Sequence, residues 1–187
     1  RLRAVAILNA LLGSWGRRGG FFRPETFELP EVIHPPFPTP KRTWRTEFPD
    51  LYKLSDTVLA NGVCDATVPD PSRNCQFKGW IVNGTNLMET LPNQANTLRA
   101  IEELDLLVVI DTMPMEITGY ADVVLPECTY LERFDDLRVV QHRKPQIALR
   151  APAAEPMYDT RPAYWMAREL AKRLGVIEYF PFEKIED

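Results

Sequence analysis

Histidine and cysteine are scarce in this chain, with two of the first and three of the second in 187 residues. His34 and His142 stand alone, and Cys64, Cys75 and Cys128 show no C-x-x-C spacing. Zinc sites and iron–sulfur clusters draw several such ligands from short spacings, so no metal ligand is assigned to this stretch. A basic excess is lacking as well. The net charge is −4 and the aromatics have no basic stripe beside them, which argues against a nucleic-acid surface. No apolar run approaches the roughly 20 residues that span a bilayer, so direct membrane insertion is not expected. The G-x-G-x-x-G fingerprint and the P-loop are both missing. No signal peptide is visible, which says nothing about compartment in a chain that starts inside a helical pattern.

Apolar residues make up 45% of the chain, enough for one sizeable core or two small lobes. The informative stretch is residues 79–132. Residues 80–82 and 106–110 are nearly continuous apolar runs, as in parallel strands buried on both faces. Between them Ala95, Leu98 and Ile101 fall at helix spacing as an apolar stripe, with Arg99, Glu102 and Glu103 facing away. Asn93 or Thr90 caps its start. Strand, helix, strand at this length is a βαβ unit, and residues 121–125 read as a third strand of the same sheet. The predicted class is therefore α/β, a Rossmann-like open parallel sheet with flanking helices, preceded by a Pro-rich irregular segment.

Each run ends in a polar, turn-forming group: Gly84-Thr85-Asn86, Asp111-Thr112 and Pro126-Glu127. Open α/β sheets bind ligands outside the carboxyl ends of their strands, where strand order reverses. Gly84 permits close backbone approach or positive φ. Amides of the following turn can meet phosphate oxygens. An ionised Asp111 only accepts, which suits paired donors such as a guanine N1–H and N2-amine or a ribose diol. A helix cap at Asp111 and a plain turn at Gly84 account for the same residues without a ligand.

Other segments are read more simply. Seven prolines in residues 21–50 forbid regular helix, and by composition the segment reads as a mobile linker. Phe21, Phe22, Phe27, Phe37, Trp44 and Phe48 are more aromatics than such linkers carry, and they read as a segment that wraps over other parts of a larger protein. Cys64 and Cys75 flank an insertion-like loop, DATVPDPSRN, across which a disulfide can form in an oxidising compartment. Cys128 reads as a packed thiol. Residues 137–149 read as an edge strand interrupted at Pro145, with Gln141 a candidate ligand contact. The last helix takes Asp159 or Thr160 as cap, Pro162 in its first turn and Gly175 past its end. Ala163, Ala167, Leu170, Ala171 and Leu174 form its predicted buried stripe, and Glu169 pairs with Arg173.

The sequence ADVVLPECTYLER (residues 121–133) resembles the third domain of the molybdenum-bis(pterin guanine dinucleotide) oxidoreductases, the dimethyl sulfoxide reductase superfamily. The GTN turn at Gly84, the apolar strand ending in Asp111, LNALLGSWGRRGG (residues 8–20) and EPMYDTRPAYWMARELAKRLG (residues 155–175) are similar to family segments in the same order. The wording MPMEITGYADVVLPECTYLERFDDL looks most like catalytic subunits of polysulfide and thiosulfate reductases.

The resemblance implies that Gly84, Thr85 and Asn86 line the phosphate or ribose of one pterin guanine dinucleotide. Asp111 accepts from its guanine beside the backbone of Thr112 and Met113. Two departures stand out: Pro114 and Met115 where many relatives have a hydroxyl residue, and Leu87 where they often have Pro. Glu132 is read either as an organiser behind the site or as a surface ion pair with Arg133 or Arg138. Arg17, Arg18 and Arg23 are read either as contacts for an anionic sulfur substrate or as a solvated cluster.

The family implies a catalytic chain several times longer, with a 4Fe-4S cluster and the metal ligand upstream. The chain starts in a helical pattern and ends in FEKIED without an obvious terminator, so it reads as an excised fragment, silent by itself, with no catalytic residue assigned. Its expected parts are a helix and Gly-rich turn (1–20), a Pro-rich extended segment (21–50), a dinucleotide-binding-like α/β domain (51–175) and the start of a following segment (176–187). Expected partners are the remaining domains of the same catalytic chain, an iron–sulfur electron-transfer subunit, and a membrane anchor subunit, on the periplasmic side of a bacterial membrane. The implied reaction is reduction of polysulfide, thiosulfate or a related sulfur or oxo-anion. The alternative is a metal-free scaffold subunit of a respiratory complex.

Overall fold

Alternation along the first strand decides which face of the sheet is covered. The computed structural model describes residues 2–22, 24–31, 33–36, 62–72 and 76–185. Strand β1 (Gly79–Asn83) buries Trp80 and Val82 on one face and leaves Ile81 62% exposed on the other. It pairs in parallel with β2 (Leu106–Asp111), which pairs in parallel with β3 (Val123–Pro126), in the spatial order β1-β2-β3. Only β2, the central strand, is buried on both faces. β1 departs from the sequence expectation because nothing among the described residues covers its second face.

The covered face carries the main core. Helix α2 (Gly62–Thr67), the short α3 (Leu87–Thr90), α4 (Gln94–Glu102) and a 3₁₀ turn (Glu116–Tyr120) bury Cys64, Met88, Leu91, Ala100, Ile101 and Ile117 against Trp80, Val82, Leu107 and Val109. Asn93 caps α4, accepting from the Asn96 amide at 3.4 Å while its own backbone takes a positive φ of 67°. The stripe of α4 is shifted from the predicted one: Thr97, Ala100 and Ile101 are buried and Ala95 is exposed. The core therefore includes a threonine that apolar spacing passes over.

Asp65 to Thr67, a loop by sequence, belong to α2. The burial of Trp80 explains this: its indole Nε1–H needs an acceptor and finds Thr67 Oγ1 at 3.0 Å. Thr67 Oγ1 in turn donates to the Val63 carbonyl at 2.8 Å. Cys64 is a free, buried thiol 3.9 Å from Thr97 Oγ1. Burial pushes that thiol up from its ordinary range, with the nearby Asp65 charge adding to the shift and the Thr97 contact opposing it. Cys75, its expected disulfide partner, lies outside the described residues.

On the second face, Val108 and Ile110 of β2 pack with Leu125 on Met166 of the last helix, α5 (Ala163–Leu174). Of its predicted stripe only Ala171 is fully buried; Leu170 is exposed and Leu174 is 75% exposed. Gly175 closes the helix with φ 72°, and Glu169 ion-pairs with both Lys172 and Arg173. Those two cations hold the Glu169 carboxyl below its ordinary range. Residues 137–149 form an antiparallel hairpin of β4 (Arg138–Val140) and β5 (Gln146–Ala148), a sheet of its own. Pro145 sits in its turn region, so the interruption expected within one strand separates two. Helix α1 (Leu2–Leu11) exposes Val5, Ile7, Leu8 and Leu11 and leads into a turn where the Gly16 amide bonds the Phe21 carbonyl. A Cβ on Gly20 would lie 1.9 Å from the Ser14 carbonyl oxygen, so only glycine fits there. Of the Pro-rich segment, residues 24–31 and 33–36 contain no helix or named strand, and Glu25 bridges to His142.

The start of α5 is not capped by Asp159 or Thr160. Its first amide, on Ala163, donates to Glu127 Oε1 at 3.3 Å, from the residue just past β3. Glu127 is 6% exposed, ion-pairs with Arg133, and accepts a longer contact from Asn83 Nδ2 at 3.5 Å. Glu132 pairs with neither Arg133 nor Arg138. Its Oε2 accepts from the Thr129 amide (2.8 Å) and hydroxyl (3.0 Å), and its Oε1 from the Met157 amide (3.1 Å). These bonds, the Thr129 amide first, hold the Glu132 carboxyl below its ordinary range.

Glu127→Ala strips α5 of its acceptor and leaves Arg133 with Asp135 and the Cys128 carbonyl. Because Arg133 is partly hydrated, the expected cost is about 2–3 kcal/mol, below the range for a fully buried pair. Leu174→Ala, by contrast, is expected to change stability by less than about 0.5 kcal/mol, and denaturant midpoints read both. For Glu132 the folded-state pKa is lowered, so its contribution is present above the unfolded value and lost as pH falls through the folded one. The stability difference between wild type and Glu132→Gln is expected to be constant near neutrality and to shrink in acid. A difference that grows in acid overturns this assignment.

Candidate functional site

Parallel pairing brings the three strand ends to one edge. The register sets Asn83 beside Ile110 and Asp111 beside Pro126, and the turns continue it: the Gly84 amide donates to the Ile110 carbonyl at 3.0 Å and the Glu127 amide to the Asp111 carbonyl at 2.9 Å. Gly84, Asp111 and Glu127 therefore stand side by side along this edge. Among the described strands the order is β1-β2-β3 without a reversal, and their carboxyl ends meet along one edge. Gly84 has φ 61°, and an added Cβ would meet nothing within 4 Å. Its glycine is thus required by backbone conformation and not by crowding.

Asp111 folds one oxygen inward. Its Oδ1 accepts from the Thr112 amide at 2.7 Å and from the Met113 amide at 3.4 Å, the turn-capping role that chemistry alone allowed. Its Oδ2 makes no hydrogen bond with the described residues and remains an available acceptor. Thr112 and Met113 are exposed beside it. Both readings of Asp111 are thereby compatible, one on each oxygen.

Asn86 caps no helix amide with its side chain. Its Nδ2 instead donates to Glu116 Oε2 at 2.5 Å, from the 3₁₀ turn after β2. Its Oδ1 is buried and has no partner among the described residues. An unsatisfied buried acceptor of this kind costs about 1–3 kcal/mol. Thr85 is half-buried beside it, at the end of a groove lined by Gly79, Ile81 and Asn83 of β1.

The two departures at this edge are accommodated locally. Leu87 starts α3 and packs against the main core. Near Pro114 and Met115, the hydroxyl of Thr118 accepts from the Met115 amide at 3.0 Å. Sequence reasoning missed Glu116 as a site residue; the available signal was a carboxylate five residues beyond Asp111 in the connection leaving the same strand edge. Glu127 shows in the sequence only as a turn group.

The edge is acidic. Asp111 and Glu116 form no ion pair with an Arg or Lys among the described residues. Other residues singled out from the sequence lie elsewhere. Arg17 and Arg18 line a pocket with Phe22, Glu25 and Arg143, whose guanidinium lies 4.7 Å from the Phe22 ring centroid, and Arg23 is outside the described residues. Gln141 is exposed on the hairpin. Cys128 is buried, its Sγ 3.6 Å from Thr160 Oγ1. Among the described residues no cluster of His, Cys, Asp and Glu is arranged to hold a metal ion, and no helix is long and apolar enough to cross a membrane.

The chain is 27% identical over 98% of its length to the thiosulfate reductase molybdopterin-containing subunit of Salmonella typhimurium, covering 26% of that protein. It is 27% identical over 95% of its length to the dimethyl sulfoxide reductase DmsA of Escherichia coli, covering 23% of it. Among solved structures, acetylene hydratase from Pelobacter acetylenicus superposes with a TM-score of 0.56 at 26% identity, covering 66% of this chain and 16% of the other. The chain spans about a quarter of the length of the curated relatives it matches. Residues 3–173 match the molybdopterin oxidoreductase family, and with nearly the whole chain inside that match, the chain belongs to it.

Proposed function

We propose that this chain is the guanine-dinucleotide-binding part of a molybdenum oxidoreductase catalytic subunit that reduces polysulfide, thiosulfate or a related sulfur or oxo-anion. In this reading the sheet is a Rossmann-like unit, and Gly84, Thr85, Asn86, Asp111, Thr112 and Met113 line the dinucleotide. The observation that carries it is the acceptor left open at the strand edge, Asp111 Oδ2, whose partner oxygen is held by the turn amides.

The donor set fits one portion of the group. Acceptors suit the N–H groups of a guanine edge and the hydroxyls of a ribose, while two carboxylates without a paired cation disfavour phosphate oxygens. When bound, the cofactor supplies the metal that exchanges electrons with substrate; the chain's own residues hold and orient its nucleotide end. Asp111 Oδ1 is fixed by the Thr112 amide, which sets the direction of Oδ2 without further rearrangement. Electrons reaching such an enzyme come through an iron–sulfur cluster held outside this chain. The sulfur-anion substrate rests on the likeness to the thiosulfate reductase protein, which extends along nearly the whole chain.

Metal and guanine analysis of the full-length protein containing this chain tests the proposal. Molybdenum or tungsten with two guanines per metal is expected, and a metal-free, guanine-free protein supports the scaffold alternative instead. Asp111→Ala removes a charge-assisted acceptor worth about 1.5–3 kcal/mol, so guanine nucleotide affinity is expected to fall by roughly ten- to a hundredfold. Unchanged affinity removes Asp111 from the site.

A further inference from the structure

Positive charge collects away from the strand-end residues, where the turn after α1 meets the hairpin. The turn is laced by its own backbone: the Gly16 amide bonds the Phe21 carbonyl, the Phe21 amide the Ser14 carbonyl at 2.9 Å, and the Gly20 amide the Arg17 carbonyl at 3.0 Å. Arg17 and Arg18 stand inside this closed turn. From the other end of the chain, the connection between β4 and β5 docks beside it. The Glu25 amide donates to the His142 carbonyl at 3.0 Å, the His142 ring meets the Phe22 ring edge-on at 5.8 Å, and Arg143 lies over the Phe22 ring at 4.7 Å. Arg17, Arg18 and Arg143 thereby line one open cleft with Gly16, Phe22 and Glu25.

Like charges gathered on one cleft repel unless something negative sits among them. Among the described residues none of the three guanidiniums forms an ion pair or donates a hydrogen bond, and Glu25, the one carboxylate of the lining, pairs with none of them. The Phe22 ring steadies Arg143 but gives it no oxygen acceptor. In a chain of net charge −4, this unpaired cationic group is local and does not follow from composition. All three side chains are exposed, so an anion reaches them from solvent. Each carries N–H donors in a fixed fork that matches the oxygens of a compact oxo-anion.

We propose that Arg17, Arg18 and Arg143 form a binding site for a tetrahedral oxo-dianion of the sulfate, thiosulfate or hydrogen phosphate kind. Arg143 completes it, bringing a third charge from the hairpin to the two on the turn. Glu25 faces the same cleft, repels the bound dianion and weakens its hold. The site uses none of the strand-end residues and does not depend on the nucleotide reading.

Labelling of individual arginines with phenylglyoxal, read by peptide mass spectrometry on the full-length protein containing this chain, tests the proposal. Sulfate, thiosulfate and hydrogen phosphate, each alone, are expected to slow labelling of Arg17, Arg18 and Arg143 together and to leave the exposed Arg99 of α4 unchanged. Chloride at matched ionic strength is expected to protect none of them. Arg143→Gln is expected to raise the sulfate concentration for half-protection of Arg17 and Arg18 about tenfold or more, the worth of a charge-assisted hydrogen bond. Glu25→Gln keeps the backbone bridge to His142 and is expected to lower that concentration about twofold to fivefold. Protection by chloride, equal protection of Arg99, or half-protection that neither variant moves overturns the site. So does a cleft whose arginines the reagent does not reach, because the rest of the protein then covers it. Protection by one of the three anions alone overturns the assignment to charge and shape.

Discussion

The Glu127 carboxylate ties the sheet edge to the rest of the chain. It sits one residue past β3, almost out of solvent, with its own amide on the Asp111 carbonyl. Burying a carboxylate is costly unless its lone pairs are met, and Glu127 meets them with the Ala163 amide, the Arg133 guanidinium and a longer contact from Asn83. The Ala163 amide is the first of α5, so the negative charge also sits at the positive end of that helix dipole. This one side chain touches the end of β1, follows β3, and starts the helix that places Met166 over Val108 and Ile110. Without it the second face of β2 has no defined cover, and the strand ends carrying Asn83 and Asp111 lose a common anchor.

The sheet was legible in the sequence because its signal is local. The apolar runs at 80–82 and 106–110 and the short run before Pro126 are strands, and their polar ends meet at one edge as the pattern implies. The helix stripes are less legible. Apolar spacing marks which side chains can be buried, whereas burial depends on what lies opposite. On α5 the opposing surface is narrow, so Met166 and Ala171 are covered while Leu170 and Leu174 are not. Thr67 and Thr97 are buried although neither is apolar, Thr67 because the Trp80 indole needs its hydroxyl.

The features that escape the sequence are contacts between residues far apart along the chain. Glu127 caps a helix 36 positions away, a role that rules based on neighbours assign to Asp159 or Thr160. Glu116 and Asn86 are separated by 30 positions, and nothing in either local pattern announces the pair. For Glu132 the flanking arginines suggest an ion pair. Backbone amides of Thr129 and Met157 reach it first, and their fixed geometry spares the entropy of ordering a long arginine side chain.

The sheet edge thus works by exclusion as much as by attraction. Oxygen acceptors gather there because the end of β2 and the turn after it deliver two carboxylates, Asp111 and Glu116. One oxygen of Asp111 and one end of the Asn86 amide are spent inside the protein, on the Thr112 amide and on Glu116. The remaining oxygens are consequently fixed in direction. A site of fixed acceptors discriminates by penalty: a ligand without donors in the right places leaves buried oxygens unpaired, and that loss exceeds what a good contact adds.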